Sequence, residues 1–169
     1  LSSAVYIASL LLSGPAVAVI VGAIPALLSQ VLRRKSPLKI AFNVGQYVLT
    51  IGLSGAFLIG TGTDPHSFEV FIGSAGGAAA LLAMFVSYFL LNTGLVALVL
   101  AIVKGASFLD VWKMGNKEVV LPYVGMLNVG LVAAILWTVS PFAEVVLFLL
   151  LIVLDLVMKT TWELNVETR

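Results

Sequence analysis

The residues of this sequence best suited to chemistry are uncharged polar side chains that interrupt long apolar stretches. Amides and hydroxyls both donate and accept hydrogen bonds, so several of them around one interior space could hold a small neutral or weakly polar ligand. An amide that faces lipid at mid-depth in a bilayer is costly, which favours an interior position. The sequence therefore predicts one ligand pocket, lined by Asn43, Gln46, Tyr47, Asn92, Thr93 and Asn128. The alternative is that these side chains only make hydrogen bonds between helices, of about 1 kcal/mol each.

Other kinds of site find no support in the residue types of the chain. It has no Cys and one His, which argues against a thiolate, zinc or haem site, and we expect no metal and no cofactor. The sequence has no nucleophile elbow, phosphate-binding loop, dinucleotide fingerprint or paired carboxylate inside an apolar stretch, so we expect no enzyme. A formal net charge of +1 gives no electrostatic basis for a nucleic-acid partner.

The composition places these polar groups inside a membrane protein. Of the 169 residues, 61% are hydrophobic and 10% are charged, whereas soluble domains have about 45–50% apolar and about 25% charged residues. A spanning helix takes about 20 apolar residues, so the chain is long enough for about six crossings. We expect an all-α, polytopic helical bundle of about six transmembrane helices, embedded in the lipid bilayer of the cytoplasmic membrane.

The positions of the few charges predict the orientation of the bundle. The nine Lys and Arg residues fall in three groups, around Arg33–Lys39, Lys104–Lys117 and Lys159–Arg169, and the positive-inside rule places all three groups in the cytoplasm. Both chain ends are then cytoplasmic. The acidic turn at Asp64-Pro65-His66 and the turn at Ser140-Pro141 are expected on the outer side.

The apolar runs and turn signals define the predicted elements. The turn Ser13-Gly14-Pro15 predicts a hairpin, and the first helix is so short that we expect the natural N-terminus to lie upstream. Residues 1–160 form the predicted transmembrane domain and 161–169 a cytoplasmic tail. The first predicted helix ends near Leu12. The other five run over Pro15–Leu32, Leu38–Gly60, Ala78–Val103, Val119–Val139 and Phe142–Lys159. A Gly-rich element precedes the fourth helix, and an amphipathic surface helix is predicted at Ala106–Asn116. The alternative is five crossings with one kinked first helix.

Small residues at four-residue spacing predict where helices approach one another closely. Ala18, Gly22 and Ala26 form such a stripe on the second helix. Similar stripes occur on the third helix and on the fourth helix with its preceding segment, at Gly52, Ala56 and Gly60 and at Ala75, Ala79, Ala83 and Ser87. We expect packing within the chain. The alternative is docking onto a partner, either a second copy or another membrane subunit.

The stretch Leu10–Leu58 also resembles a known family. An apolar helix ends in a Gly14-Pro15 turn, and a small-residue helix, a basic loop and a helix opening with Phe42-Asn43 follow. Further on, Tyr88 to Thr93, Trp112 and Leu121-Pro122-Tyr123 continue the pattern. The chain resembles the N-terminal membrane region of bacterial HD-GYP and GGDEF signalling proteins, which make or degrade cyclic di-GMP. It is also similar to the substrate-binding S-components of energy-coupling-factor vitamin transporters.

These resemblances imply a function for the bundle. We expect a sensory input module that binds a small molecule or lipid and relays the signal to a cytoplasmic signalling domain outside this chain. One alternative is an S-component-like subunit that binds a nutrient and docks through its second helix. Another is a structural subunit of a larger membrane complex.

Overall fold

The computed structural model describes residues 2–62, 73–116, 119–143, 145–147, 149–150 and 152–153. All regular structure in these ranges is helical, which confirms the predicted all-α class. The chain divides into two compact units, Leu1–Ala134 and Ile135–Arg169, and the site described below lies in the first. The helices within the described ranges are α1 Ser2–Leu32, α2 Pro37–Gly60, α3 Ala75–Lys104, α4 Phe108–Asn116 and α5 Val120–Val139.

Four of these helices are long and apolar enough to cross a membrane, namely α1, α2, α3 and α5. Each contains 18 consecutive residues of high mean hydropathy with at most two charged side chains, which is close to the length a bilayer core requires. The short helix α4 has nine residues and both charged and apolar side chains, as expected for a helix on the membrane surface. The helical-bundle prediction holds at this level, and six crossings with cytoplasmic ends stay a prediction.

The first helix turns back on itself at Gly14. This residue has φ 79° and ψ 174°, a conformation that glycine adopts freely and residues with a Cβ do not. The Tyr6 ring lies 3.7 Å from where a Cβ on Gly22 would be, although sixteen residues of unbroken helix would separate the two by about 24 Å. The predicted turn at Ser13-Gly14-Pro15 is therefore present, and the two halves of α1 pack side by side.

Small residues bring the helices of the first unit together. A Cβ on Gly55 of α2 would lie 2.5 Å from Cβ of Pro15 and 2.6 Å from Cδ1 of Leu10. A Cβ on Gly22 would likewise overlap the end of the Ile51 side chain. Helix α1 therefore packs closely on α2, and α2 packs in turn on α3.

The predicted packing stripes have different surroundings. Ala18, Gly22 and Ala26 are buried inside the chain, so this face is already occupied. Most positions of the stripes on α2 and α3 are exposed, namely Ala56, Gly60, Ala75, Ala79 and Ala83, and the expectation of internal packing is wrong for them. Gly52 does pack internally, because its Cβ position lies 3.6 Å from the Val19 side chain. The interior side of α3 carries both small and large side chains instead, among them Gly77, Ala80, Leu81, Met84 and Tyr88.

The ends of α3 position the rest of the fold. The Ser74 hydroxyl accepts a hydrogen bond from the Gly77 amide at 2.9 Å, a typical N-cap. The Gly-rich segment predicted as a separate element therefore contributes to α3, which begins at Ala75. At the other end, Gly105 has φ 63° and caps the helix, so the chain reverses at once into α4.

Several predictions fall on positions outside the described residues. These are the outer turn at Asp64-Pro65-His66, the end of the sixth predicted helix and the tail at 161–169.

Candidate functional site

A chain of hydrogen bonds between side chains joins three helices. Nε2 of Gln46 in α2 donates to Oδ1 of Asn92 in α3 at 2.5 Å and to the Asn92 carbonyl at 3.1 Å. Nδ2 of Asn92 donates to the hydroxyl of Tyr123 in α5. The Asn92 amide thus uses its oxygen toward one helix and its nitrogen toward another. We call Gln46, Asn92 and Tyr123 the amide network.

Gln46 reaches Asn92 because it begins a polar stripe on the buried side of α2. Thr50 and Ser54 follow at spacings of four residues, and all three side chains are buried. Residues at this spacing lie above one another on one helix face. The hydroxyls of Thr50 and Ser54 have no hydrogen-bond partner among the described residues. The interior of the bundle is therefore polar along several turns of α2.

The surface helix α4 is tied to this interior through Trp112. Its indole N–H donates to the Thr93 hydroxyl at 3.0 Å, and that hydroxyl donates to the Phe89 carbonyl one turn earlier at 2.8 Å. The Phe108 ring is stacked on the indole, with the planes at 11° and the centroids 6.5 Å apart. Because Thr93 follows Asn92 directly, α4 is hydrogen-bonded to the turn of α3 that carries the centre of the amide network.

All four tyrosines of the chain lie in two ring pairs near the network. Tyr6 meets Tyr47 edge to face at 5.5 Å, and Tyr88 lies 6.2 Å from Tyr123. Tyr47 follows Gln46 directly, and Tyr123 accepts the hydrogen bond of Asn92, so each pair has a member at the amide network. Tyr88 is fully buried. The network therefore sits in an aromatic, partly polar core.

A cavity of about 210 Å³ opens beside the amide network, between α3, α4 and the start of α5. Its walls combine polar groups with aliphatic side chains such as Val96, Ala97, Leu100 and Val111. One polar group of the wall, the amide nitrogen of Asn116, is buried and has no hydrogen-bond partner in the described part of the chain. The polar wall residues are Asn92, Thr93, Trp112, Asn116 and Tyr123.

The structure brings some of the predicted ligand residues together. Gln46 and Asn92 form the amide network with Tyr123, and Thr93 lies next to it. Tyr47 contacts Tyr6 rather than the amides. Asn43 is half-buried one turn from Gln46 and makes no hydrogen bond within the described ranges.

The predicted convergence is wrong for Asn128. Its side chain is exposed and donates to the Val124 carbonyl of its own helix at 2.8 Å. It lies in a separate apolar groove of about 340 Å³, lined by Leu82 and Phe85 among others. Five residues separate it from Tyr123, and at about 100° per residue the two side chains point about 140° apart around α5.

Sequence reasoning named Tyr47 but missed Tyr88, Tyr123, Trp112 and Asn116 as members of the site. Tyr88 and Tyr123 lie in long apolar stretches, so the argument that selected the amides applies to them equally. Trp112 was expected at the membrane surface, and its indole N–H was not assigned a partner. Asn116 ends the amphipathic stretch, where a polar residue carries no signal of burial.

The described residues offer no other obvious site chemistry. Within them, His, Cys, Asp and Glu side chains form no group that could ligate a metal ion. The arrangement holds neutral donors and acceptors between helices, and this is suited to binding a neutral ligand.

Comparison with known proteins gives the family. No similar chain is found among curated proteins or among solved structures. A family model, MASE9, matches residues 3–165, which includes the amide network, the cavity and the surface helix. MASE9 is a family of membrane-associated sensor domains. This chain therefore belongs to the MASE9 family and is a membrane sensor region.

Proposed function

We propose that this chain is the input module of a bacterial signalling protein in the cytoplasmic membrane. Binding of a small molecule or lipid rearranges its helices, and the change passes to a cytoplasmic signalling domain outside these 169 residues. The resemblance to HD-GYP and GGDEF proteins suggests a domain that makes or degrades cyclic di-GMP. Membership of a membrane-sensor family supports the sensory part of this proposal.

The observation that carries the proposal is the amide network with its link to α4. Four helices meet through Gln46, Asn92, Tyr123 and the Trp112–Thr93 bond. Hydrogen bonds between membrane helices are worth about 0.6 kcal/mol on average and up to about 1.7. A ligand that takes one of these partners therefore competes with a bond of modest strength. Two arrangements of the helices that differ by one such hydrogen bond differ little in free energy. A ligand that binds only one of them can therefore shift the population toward it.

The transporter alternative is less well supported. It needs the small-residue face of the second predicted helix, which is the second half of α1, to dock onto a partner. That face is buried, with Gly22 packed against Ile51 and Tyr6, so docking there would require the helices of the chain to separate.

A reporter fusion tests the proposal. The chain is joined to a diguanylate cyclase domain, and cyclic di-GMP is measured in cells for the wild type, Asn92→Leu and Asn128→Leu. The two variants make the same substitution, one inside the amide network and one outside it. We expect Asn92→Leu to change the output at least severalfold and Asn128→Leu to leave it at the wild-type level.

The same fusion can reject the proposal. Equal insertion and equal cyclic di-GMP for all three proteins would show that the network does not control the output. That result would favour the remaining alternative, a structural subunit.

A further inference from the structure

The connection between α1 and α2 is a strongly charged surface of the first unit. Arg33, Arg34, Lys35 and Lys39 lie close together in the chain, and all four are exposed. We call these four residues the basic turn. In the described ranges the one acidic side chain is Asp110 of α4, and it forms no ion pair with the basic turn. Because no described residue neutralises these charges, a negatively charged group beside them would be stabilised.

The backbone of the basic turn is unusual at Arg34. The Arg34 amide donates to the Val31 carbonyl at 2.9 Å, and the Lys35 amide donates to the Gln30 carbonyl at 3.1 Å. This pair of bonds is the Schellman motif, which requires one residue in the left-handed conformation. Arg34 supplies it with φ 52°, although glycine adopts this conformation more easily because it has no Cβ. The backbone therefore does not account for an arginine here, which indicates that the side chain has a role of its own.

The neighbours of the basic turn indicate which anion it meets. The turn follows one helix that is long and apolar enough to cross a membrane and precedes another, so it lies where the hydrocarbon core meets water. Leu32 and Leu38 stand on either side of Arg33, Arg34 and Lys35, and each is 81% exposed. In a bilayer these leucines contact acyl chains while the longer basic side chains reach the headgroups. A soluble anion would match the charges alone, whereas a phospholipid matches the charges and the leucines.

We propose that the basic turn binds an anionic phospholipid of the surrounding bilayer, with the headgroup phosphate paired to the guanidinium groups of Arg33 and Arg34. Guanidinium groups can pair with phosphate oxygens through two parallel hydrogen bonds. The positive-inside rule explains why basic residues lie on one side of a membrane, but it assigns them no partner after insertion. The basic turn is separate from the amide network, so this binding does not depend on the sensory function proposed above.

Native mass spectrometry of the full chain in a nonionic detergent tests this binding. The probes are phosphatidylglycerol and phosphatidylcholine with identical acyl chains, so the two lipids differ only in the headgroup. A basic residue near an anionic membrane surface strengthens binding about fivefold. From the two arginines we therefore expect a Kd for phosphatidylglycerol about 25-fold below that for phosphatidylcholine. Millimolar inorganic phosphate should not displace the lipid, because it makes no contact with the leucines.

Matched variants separate the basic turn from other charges and from folding. Arg33→Gln/Arg34→Gln should lose most of the preference for phosphatidylglycerol. Lys104→Gln/Lys113→Gln, which removes the same number of charges on either side of Asp110, should keep it. Arg34→Gly provides the sharpest test, because glycine suits φ 52°. This variant should unfold at no lower mole fraction of sodium dodecyl sulfate than the wild type, yet bind phosphatidylglycerol about fivefold more weakly.

Four results would overturn the proposal. The first is equal binding of the two lipids to the wild type, which would leave the basic turn as an orientation signal only. The second is a preference that survives Arg33→Gln/Arg34→Gln. The third is an equal loss in both double variants, since general charge and not the basic turn would then attract the lipid. The fourth is displacement by inorganic phosphate, which would show a site for soluble anions.

Discussion

Two glycines of α5 provide a test of the close packing in the first unit. A Cβ on Gly130 would lie 2.6 Å from the Ala4 carbonyl oxygen and 2.8 Å from Cβ of Ile7. These atoms belong to the backbone and the base of a β-branched side chain of α1, so they cannot turn away. Gly125, one and a half turns earlier, has nothing within 4 Å of its Cβ position.

The substitutions Gly130→Ala and Gly125→Ala should therefore act in opposite directions. Inserting an extra methyl group into a tight contact costs about 1–3 kcal/mol, and backbone atoms at less than 3 Å place Gly130→Ala at the upper end. Replacing Gly by Ala within a helix returns up to about 1 kcal/mol. We expect Gly130→Ala to be destabilised by about 2 kcal/mol, and Gly125→Ala to be unchanged or stabilised by up to about 1 kcal/mol.

The measurement is the free energy of unfolding in mixed micelles with rising mole fractions of sodium dodecyl sulfate. Both variants keep the same composition and differ only in position, so insertion and detergent effects cancel in the comparison. If Gly130→Ala is as stable as Gly125→Ala, α5 does not pack against the first half of α1 as described, and the argument from glycine contacts fails.

Three further expectations concern the turn, the network and the surface helix. Gly14→Ala should cost about 1–3 kcal/mol in the same unfolding assay, because a residue with a Cβ is strained at φ 79°; a neutral effect would argue against the turn. Gln46→Leu should lower stability by about 1 kcal/mol or more through loss of its bonds to Asn92, and Asn43→Leu, which breaks no described hydrogen bond, should change it little; equal losses would refute the network. Trp112→Phe removes the bond to Thr93 and should speed maleimide labelling of a single cysteine at exposed Met114, in a chain that has no Cys of its own; unchanged labelling would show that this bond does not restrain α4.

The helices themselves could be predicted closely from the sequence. The prediction Leu38–Gly60 differs from α2 by one residue, and Ala106–Asn116 contains the whole of α4. Apolar runs between charges define such elements because the bilayer fixes their length. Local signals define their ends, as with Gly14 and Gly105, which both have positive φ.

The rotation of each helix could not be predicted. Helix α5 is apolar on all sides, so its sequence marks no interior face. The sequence analysis named Asn128 for the interior, although the same reasoning applies to Tyr123, and only the packing of α5 against the rest of the first unit decides between them. Gln46 and Asn92 were predicted to line one interior space because both are amides at membrane depth, whereas their direct hydrogen bond needs the structure.

The amide network contains no formal charge. A potential of 100 mV across a membrane changes the energy of a moving elementary charge by about 2.3 kcal/mol, but it does very little work on two amides and a phenol that exchange partners. A rearrangement built on Gln46, Asn92 and Tyr123 is therefore electrically silent. On the function proposed above, loss of the membrane potential would not trigger this module through the network.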